Sequence, residues 1–171
     1  LNTDLAFVGS IPATYDRYLR PLIFEDYAKD MAKRVAALPA HSVLETAAGT
    51  GVVTAVVAKQ LKAGDTLVAT DLNPAMLALA QAAIKHPGVS FQQADATALP
   101  FADASFDVVV CQFGIMFFPD KATGCKEACR VLQKGGTFLF NVWDKLAINE
   151  LSSIVNDVTT KMFPDNPSQF M

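Results

Sequence analysis

The stretch "VLETAAGTG", residues 43–51, decides how the rest of the chain is read. Two aliphatic residues lead to Glu45, and nothing larger than threonine follows through Thr46, Ala47, Ala48, Gly49, Thr50 and Gly51. A run this small lets the backbone turn sharply and lets another group come close to it. The turn joins an apolar strand, "SVLETA" (42–47), to a helical segment, "VTAVVAKQLK" (53–62). The same unit then recurs. "TLVATD" (66–71) leads to "NPAMLALAQAAIK" (73–85), and "VSFQQAD" (89–95) to a loop with Leu99, Pro100 and Phe101. "FDVVVCQF" (106–113) precedes "KATGCKEACRVLQK" (121–134), and "TFLFNVW" (137–143) closes the series. Strand and helix alternating at this spacing predict an α/β fold, a Rossmann-like doubly wound parallel sheet covered on both faces.

Local chemistry marks the boundaries. Asn73 suits an N-cap with Pro74 at the first helical position, where a missing N–H costs nothing. Met76, Leu77, Ala80, Ala83 and Ile84 share one helical face. "KGG" (134–136) has the basic residue and glycine expected where the later helix ends. Upstream, "TYDRYLRPLIFEDYAKDMAKRVAAL" (14–38) is amphipathic and broken by Pro21. Three regions result: a helical cap over 1–40, a cofactor-binding α/β core over 41–143, and over 144–171 the start of a helical segment that covers the substrate.

The bulk numbers narrow the function. The 171 residues suffice for one domain with a sizeable core, and 51% hydrophobic against 18% charged residues excludes disorder as the main state. A net charge of −3 without a Lys/Arg run argues against nucleic acid as partner. The longest apolar stretch, "FDVVVCQFGIMFF" (106–118), is interrupted by Asp107 and Gln112 and is too short to span a membrane. With no basic start followed by an apolar run at the N-terminus, the expected location is cytoplasmic. The three cysteines fit a reducing compartment as buried or half-buried thiols, and no metal site is expected.

Ligands of an open parallel sheet bind outside the carboxyl ends of its strands. The first strand delivers Glu45 and the small-residue turn there, the second Asp71, the third Asp95 followed by Ala96, the fourth Gln112 and Phe113. Asp71 lies 20 residues past Gly51, the spacing of an acid that accepts from a ribose diol. Asp95 can accept from the exocyclic amine of adenine while the Ala96 N–H donates to a ring nitrogen. Leu72, Met76, Phe113 and Ile115 are candidates to sandwich the base. The dinucleotide fingerprint G-x-G-x-x-G is absent, since Val53 and Thr54 stand where its third glycine belongs. Glu45 would repel a pyrophosphate but suits an ammonium group. A nucleoside without phosphate, carrying a zwitterionic amino-acid tail, meets these demands together, and S-adenosylmethionine is that molecule.

Over residues 40–143 the chain resembles the class I S-adenosylmethionine-dependent methyltransferases, most of all the small-molecule enzymes of ubiquinone and menaquinone biosynthesis. The resemblance is carried by "VLETAAGTG", "ATDLNPAML", "QQADATALPFADASFDVVVCQFGIMFFPD" and "EACRVLQKGGTFLFNVW" in that order. It implies that Glu45, Ala47, Gly49, Thr50 and Gly51 hold the methionine moiety, Asp71 the ribose, and Asp95 with Ala96 the adenine. Gln112 then stands beside the cofactor near the transfer centre. The family has glycine where Ala47 stands, and its sheet continues to a sixth and an antiparallel seventh strand beyond the point where this sequence stops. The expected sheet is therefore truncated, and its unpaired last strand makes a homodimer a further expectation. The expected reaction is in-line methyl transfer to a small, lipophilic acceptor, with no general base assigned: neither His41, before the first strand, nor His86, after a helix, stands at the expected site. An inactive cofactor-binding module and a nicotinamide-dependent oxidoreductase are the alternatives. Tyr15 and Tyr18 are expected to staple the N-terminal helix to the sheet rather than to face the sulfonium.

Overall fold

Five parallel strands form the centre of the molecule: β1 (Ser42–Glu45), β2 (Thr66–Asp71), β3 (Val89–Gln93), β4 (Phe106–Gln112) and β5 (Leu132–Asn141). They lie in the order β3-β2-β1-β4-β5, so the chain winds outward from β1 to one edge, then returns to build the other half from β4. Among the described residues the sheet has these five strands, fewer than the seven that the resemblance to class I methyltransferases implies. This computed structural model describes residues 14–164, apart from the side chains of Tyr15 and Leu151, so the expectation for Tyr15 and the outer parts of the two flanking regions lie outside the described residues.

Adjacent residues of the central strands point to opposite faces, and both faces are covered. Val43, Leu67, Val108 and Val110 pack with α2 (Glu25–Ala36) and α3 (Val52–Ala58) through Ala28, Met31, Ala32, Val35, Val53 and Val57. On the other face Leu44, Phe106 and Val109 pack with Leu99 and with Ala128 and Val131 of α5 (Lys121–Val131). The helix α4 (Pro74–Ala83) opens as expected: the Asn73 side chain accepts from the N–H groups of Ala75 (2.9 Å) and Met76 (3.3 Å), with Pro74 at the first helical position.

Several expectations need correction. Ala83 is exposed and Ile84 lies beyond the end of α4, so the buried face of that helix is Met76, Leu77 and Ala80. The segment 134–136 does not end a helix. α5 stops at Val131, β5 begins at once at Leu132, and Lys134–Gly136 fall within an irregularity of the β4–β5 register. Gly135 takes φ +85°, a conformation suited to glycine in a bulge. Cys111 is buried and Cys125 half-buried, but Cys129 is exposed; all three are free thiols.

The N-terminal flank begins as α1 (Tyr15–Phe24), a π-helical stretch in which Glu25 donates to the carbonyl of Arg20, five residues back. Pro21 within it has no N–H to give and would crowd an α-helical turn. Tyr18 does not staple this helix to the sheet: it is 58% exposed, with the Arg17 guanidinium 5.2 Å above its ring. Beyond β5, a 3₁₀ turn (Leu146–Ile148) and α6 (Glu150–Met162) follow, and α6 exposes Ile154, Val155, Val158 and Met162. No helix of the described residues is long and apolar enough to cross a membrane.

Candidate functional site

The point where strand order reverses lies between β1 and β4, and just past the end of each stands a residue in the left-handed conformation, which L-amino acids adopt with strain. Ala47 has φ +53° and Phe113 φ +53°. The Ala47 conformation cuts β1 at Glu45, two residues earlier than the alternation suggested. A Cβ added to Gly114 would stand 2.4 Å from the Ala47 methyl, so that methyl lies against a glycine on the neighbouring strand's exit.

The small-residue turn thus serves more than one neighbour. Gly51, at φ +82°, has no room for a side chain because Ile84 Cδ1 and Ala80 Cβ would lie 2.7 and 2.9 Å from its Cβ. Its smallness seats α4 against the start of α3. Gly49 differs: at φ +57° a Cβ there would meet only Met76 Cε, at 3.7 Å. Its N–H donates to Asp71 Oδ2 at 2.7 Å, while Asp71 Oδ1 accepts from the Asn73 N–H at 2.8 Å. The turn after β1 and the acid after β2 are therefore one constellation. Thr50 Oγ1 in the same turn is buried without a hydrogen-bond partner.

Glu45 is 2% exposed and accepts from the Thr54 hydroxyl at 2.6 Å. Burial pushes its carboxyl up to about 8; the Asp71 charge pushes the same way, and the Thr54 hydrogen bond opposes both. Thr54, which in sequence only replaces a fingerprint glycine, is thus the residue that holds Glu45. Two acids meeting at one turn, one of them driven toward its neutral form, make a site that favours a cation and disfavours phosphate.

The remaining expected residues spread along the same edge. Asp95 stands two residues beyond β3, exposed, with Oδ1 accepting from both the N–H and the hydroxyl of Thr97 at 2.7 Å; Ala96 is half-buried beside it. Leu72 is half-buried, and Met76 and Ile115 are buried. Gln112 ends β4, its Nε2 donating to the Phe24 carbonyl at 3.3 Å while Oε1 is buried without a partner.

Phe113 is committed to other rings. It stacks on Trp143 at 4.0 Å and 10°, meets Tyr27 edge-on at 5.1 Å, and lies 5.7 Å from Phe24. Tyr27 also meets Trp143 edge-on at 5.6 Å. These rings, not those of the expected Tyr18, tie the N-terminal flank to the ends of β4 and β5. Phe24 and Tyr27 carried no sequence signal beyond the amphipathic pattern. Among the described residues no group of His, Cys, Asp and Glu is arranged to hold a metal ion. His41 bonds Asp65 (2.8 Å) at the opposite end of the sheet, where β1 begins.

Residues 44–140 match the methyltransferase domain family. An uncharacterized protein of Mycobacterium tuberculosis is 40% identical over 107 residues, which is 61% of this chain and 38% of that protein. A demethylmenaquinone methyltransferase of Chlorobaculum parvum is 38% identical over 133 residues, 74% of this chain and 54% of the relative. The chain thus spans about half or less of the length of these relatives. Among solved structures, a putative methyltransferase of Bacillus halodurans superposes with a TM-score of 0.61 at 32% identity, covering 78% of this chain and 58% of its own. A putative S-adenosylmethionine-dependent methyltransferase of Methanococcus maripaludis, 22% identical, shares the fold with a TM-score of 0.65 over 89% of this chain and 69% of its own.

Proposed function

Since this chain belongs to the class I S-adenosylmethionine-dependent methyltransferase domains, we propose that it takes part in methyl transfer from S-adenosylmethionine to a small, lipophilic acceptor. The observation that carries this reading is the pair of acids at the turn, Glu45 in the interior and Asp71 bonded to the Gly49 N–H. The residues present fit the cofactor: Glu45 for its ammonium group, Asp71 for its ribose hydroxyls, a turn at Gly49 crowded only by the Met76 methyl, and an unpartnered Thr50 hydroxyl. The Ala47 methyl does not oppose the fit, because Gly114 accommodates it. When bound, the sulfonium supplies an electrophilic methyl group.

In this reading Asp71 accepts from the ribose hydroxyls, and Glu45 returns to its ionised form as it meets the ammonium group. Asp95 and Ala96 address the adenine, with Leu72, Met76 and Ile115 beside the base. Gln112, tethered through Nε2, presents Oε1 to a hydrogen-bond donor of the acceptor or cofactor. The rings of Phe24, Tyr27, Phe113 and Trp143 keep water from the β4 side of the centre. Displacement at a sulfonium releases a neutral leaving group, so alignment and exclusion of water are the main tasks of the protein. Orientation alone can supply about 7–11 kcal/mol. The demethylmenaquinone named for the Chlorobaculum relative puts lipophilic ring compounds first among acceptors to try. The expected setting is the cytoplasm.

Calorimetric titration of the chain with S-adenosylmethionine, with NADH as control, tests the reading. Saturable binding of the first alone, abolished by Asp71→Ala, is expected. Binding of NADH, or of neither by a folded chain, removes it.

A further inference from the structure

The crossover from β3 to β4, residues 94–105, passes from the edge of the sheet to its centre without forming a helix or strand. Its backbone must find partners elsewhere, and α5 provides them. All five N–H groups of the Arg130 guanidinium are engaged. Nε donates to Glu127 Oε1 (2.7 Å). Nη1 donates to the Phe101 carbonyl (2.8 Å) and Asp103 Oδ1 (2.7 Å), and Nη2 to the Leu99 carbonyl (2.9 Å) and Glu127 Oε2 (2.8 Å). Glu127 Oε2 also accepts the Leu99 N–H at 2.8 Å, so both backbone groups of Leu99 are held by one side-chain pair. The Leu99 side chain is buried with Leu44 and Val109.

Leu99 is thus a fixed point only four residues after Asp95, and the intervening residues have little slack. Thr97 bonds the Asp95 carboxylate through both its N–H and its hydroxyl, and the Ala98 N–H donates to the Asp95 carbonyl at 3.0 Å. We propose that Arg130, acting with Glu127, is the positioning residue of the base-reading corner: it fixes the crossover so that Asp95 and Ala96 accept adenine and refuse a purine of reversed hydrogen-bonding pattern. This rests on the cofactor reading above. Lysine cannot take over the task, because one ammonium group cannot direct five donors in a plane to four acceptor groups.

Hypoxanthine is the discriminating probe. It presents a carbonyl where adenine presents an amine, and an N–H where adenine presents an acceptor, so both contacts are mismatched. Sites built on such contacts reject the wrong partner strongly when the geometry is held, and lose that power when it relaxes. The experiment measures dissociation constants of S-adenosylhomocysteine and S-inosylhomocysteine for the 171-residue chain and for Arg130→Lys, Glu127→Gln, Asp95→Ala and Val131→Ala. Val131→Ala opens a cavity in the core cluster that also holds Leu99 but removes none of the clasp's hydrogen bonds, and so controls for lost packing and stability. The adenosyl-over-inosyl preference should fall about tenfold in Arg130→Lys, the scale of one well-made hydrogen bond, and less in Glu127→Gln. Because every hydrogen bond of the clasp survives in Val131→Ala, the preference should stay at the parent value there, although the melting temperature drops. A preference unchanged in Arg130→Lys but lost in Asp95→Ala overturns the role of Arg130 and leaves the cofactor reading intact. A parent chain that binds both ligands equally overturns the role of Arg130 together with the adenine contacts of Asp95 and Ala96, and a folded parent chain that binds neither overturns the cofactor reading. Equal loss in Arg130→Lys and Val131→Ala reduces the clasp to general stability and overturns the proposal.

Discussion

At the scale of single residues, the molecule is decided by side chains held in conditions they would not choose. Glu45 is the clearest. The folded chain keeps its proton up to about pH 8, whereas the ordinary value is 4.5. The native state therefore binds more protons than the unfolded state between those values, and stability falls as pH rises through the window. The ligand-free chain should be most stable with respect to this group below pH 4.5 and should lose on the order of a few kcal/mol by pH 8. Urea denaturation across that range checks this, and Glu45→Gln should flatten the dependence; a parent chain equally stable throughout contradicts it. A cationic ligand reverses the preference, so its binding near neutral pH should release a proton, seen as a buffer-dependent heat that Glu45→Gln abolishes. Ala47 and Gly114 make a second case. Glycine at 47 relieves a φ of +53° and should add up to about 1 kcal/mol. Gly114→Ala forces a Cβ to 2.4 Å from the Ala47 methyl and 2.7 Å from Cys111 Sγ, and should cost about 2–3 kcal/mol. Because the first clash disappears with glycine at 47 and the second does not, the double variant should recover part of the loss. Additive free energies in the thermodynamic cycle would show that the two residues do not press on one another.

At the scale of elements, caps and turns speak more plainly than strand ends. Asn73 and Pro74 announced α4, and Asn73→Ala should cost about 1 kcal/mol as the N–H groups of Ala75 and Met76 lose their acceptor. An unchanged melting temperature would deny the cap that weight. β2 was legible over its full length because Thr66 and Asp71 bound the strand-forming run Leu67-Val68-Ala69-Thr70. β1 was read too long, since alternation cannot reveal that Ala47 takes a left-handed conformation. β5 was read five residues late at its start and two residues too far at its end, the start because Lys134, Gly135 and Gly136 look like a helix ending whether they end one or bulge a strand. The acids at the strand ends were visible because strand direction alone puts Glu45, Asp71 and Asp95 on one edge. The groups that hold them were not. Thr54, Glu127 and Arg130 act across 9 to 31 residues of sequence, and nothing local distinguishes them from ordinary helix residues. Phe113 was legible as an aromatic at the site, but its stacking on Trp143 depends on β4 and β5 ending side by side.

At the scale of the whole molecule, the two halves of the sheet are finished differently. On the β3 side the acids are exposed or half-buried, and the edge strand carries Ser90, Gln92 and Gln93 toward water. On the β5 side the surface turns apolar. Phe140 is 51% exposed and Val142 follows it, while Ile154, Val155, Val158 and Met162 line the exposed side of α6. Among the described residues β5 pairs only with β4, so its other edge offers unsatisfied backbone groups beside those apolar side chains. An edge strand of this kind is a template for another chain, and natural proteins blunt such edges with charge. Lys134 is the charged residue within β5, and it sits at the far end from Phe140. The 171-residue chain should therefore self-associate as its concentration rises, with β5 in the contact. Sedimentation over a concentration series measures this, and Phe140→Lys should shift the species toward monomer while leaving the proposed S-adenosylmethionine binding unchanged. Monomer at every concentration would mean that the twist of β5 or the placement of α6 already screens the edge. Association untouched by Phe140→Lys would move the contact from the strand to the apolar side of α6.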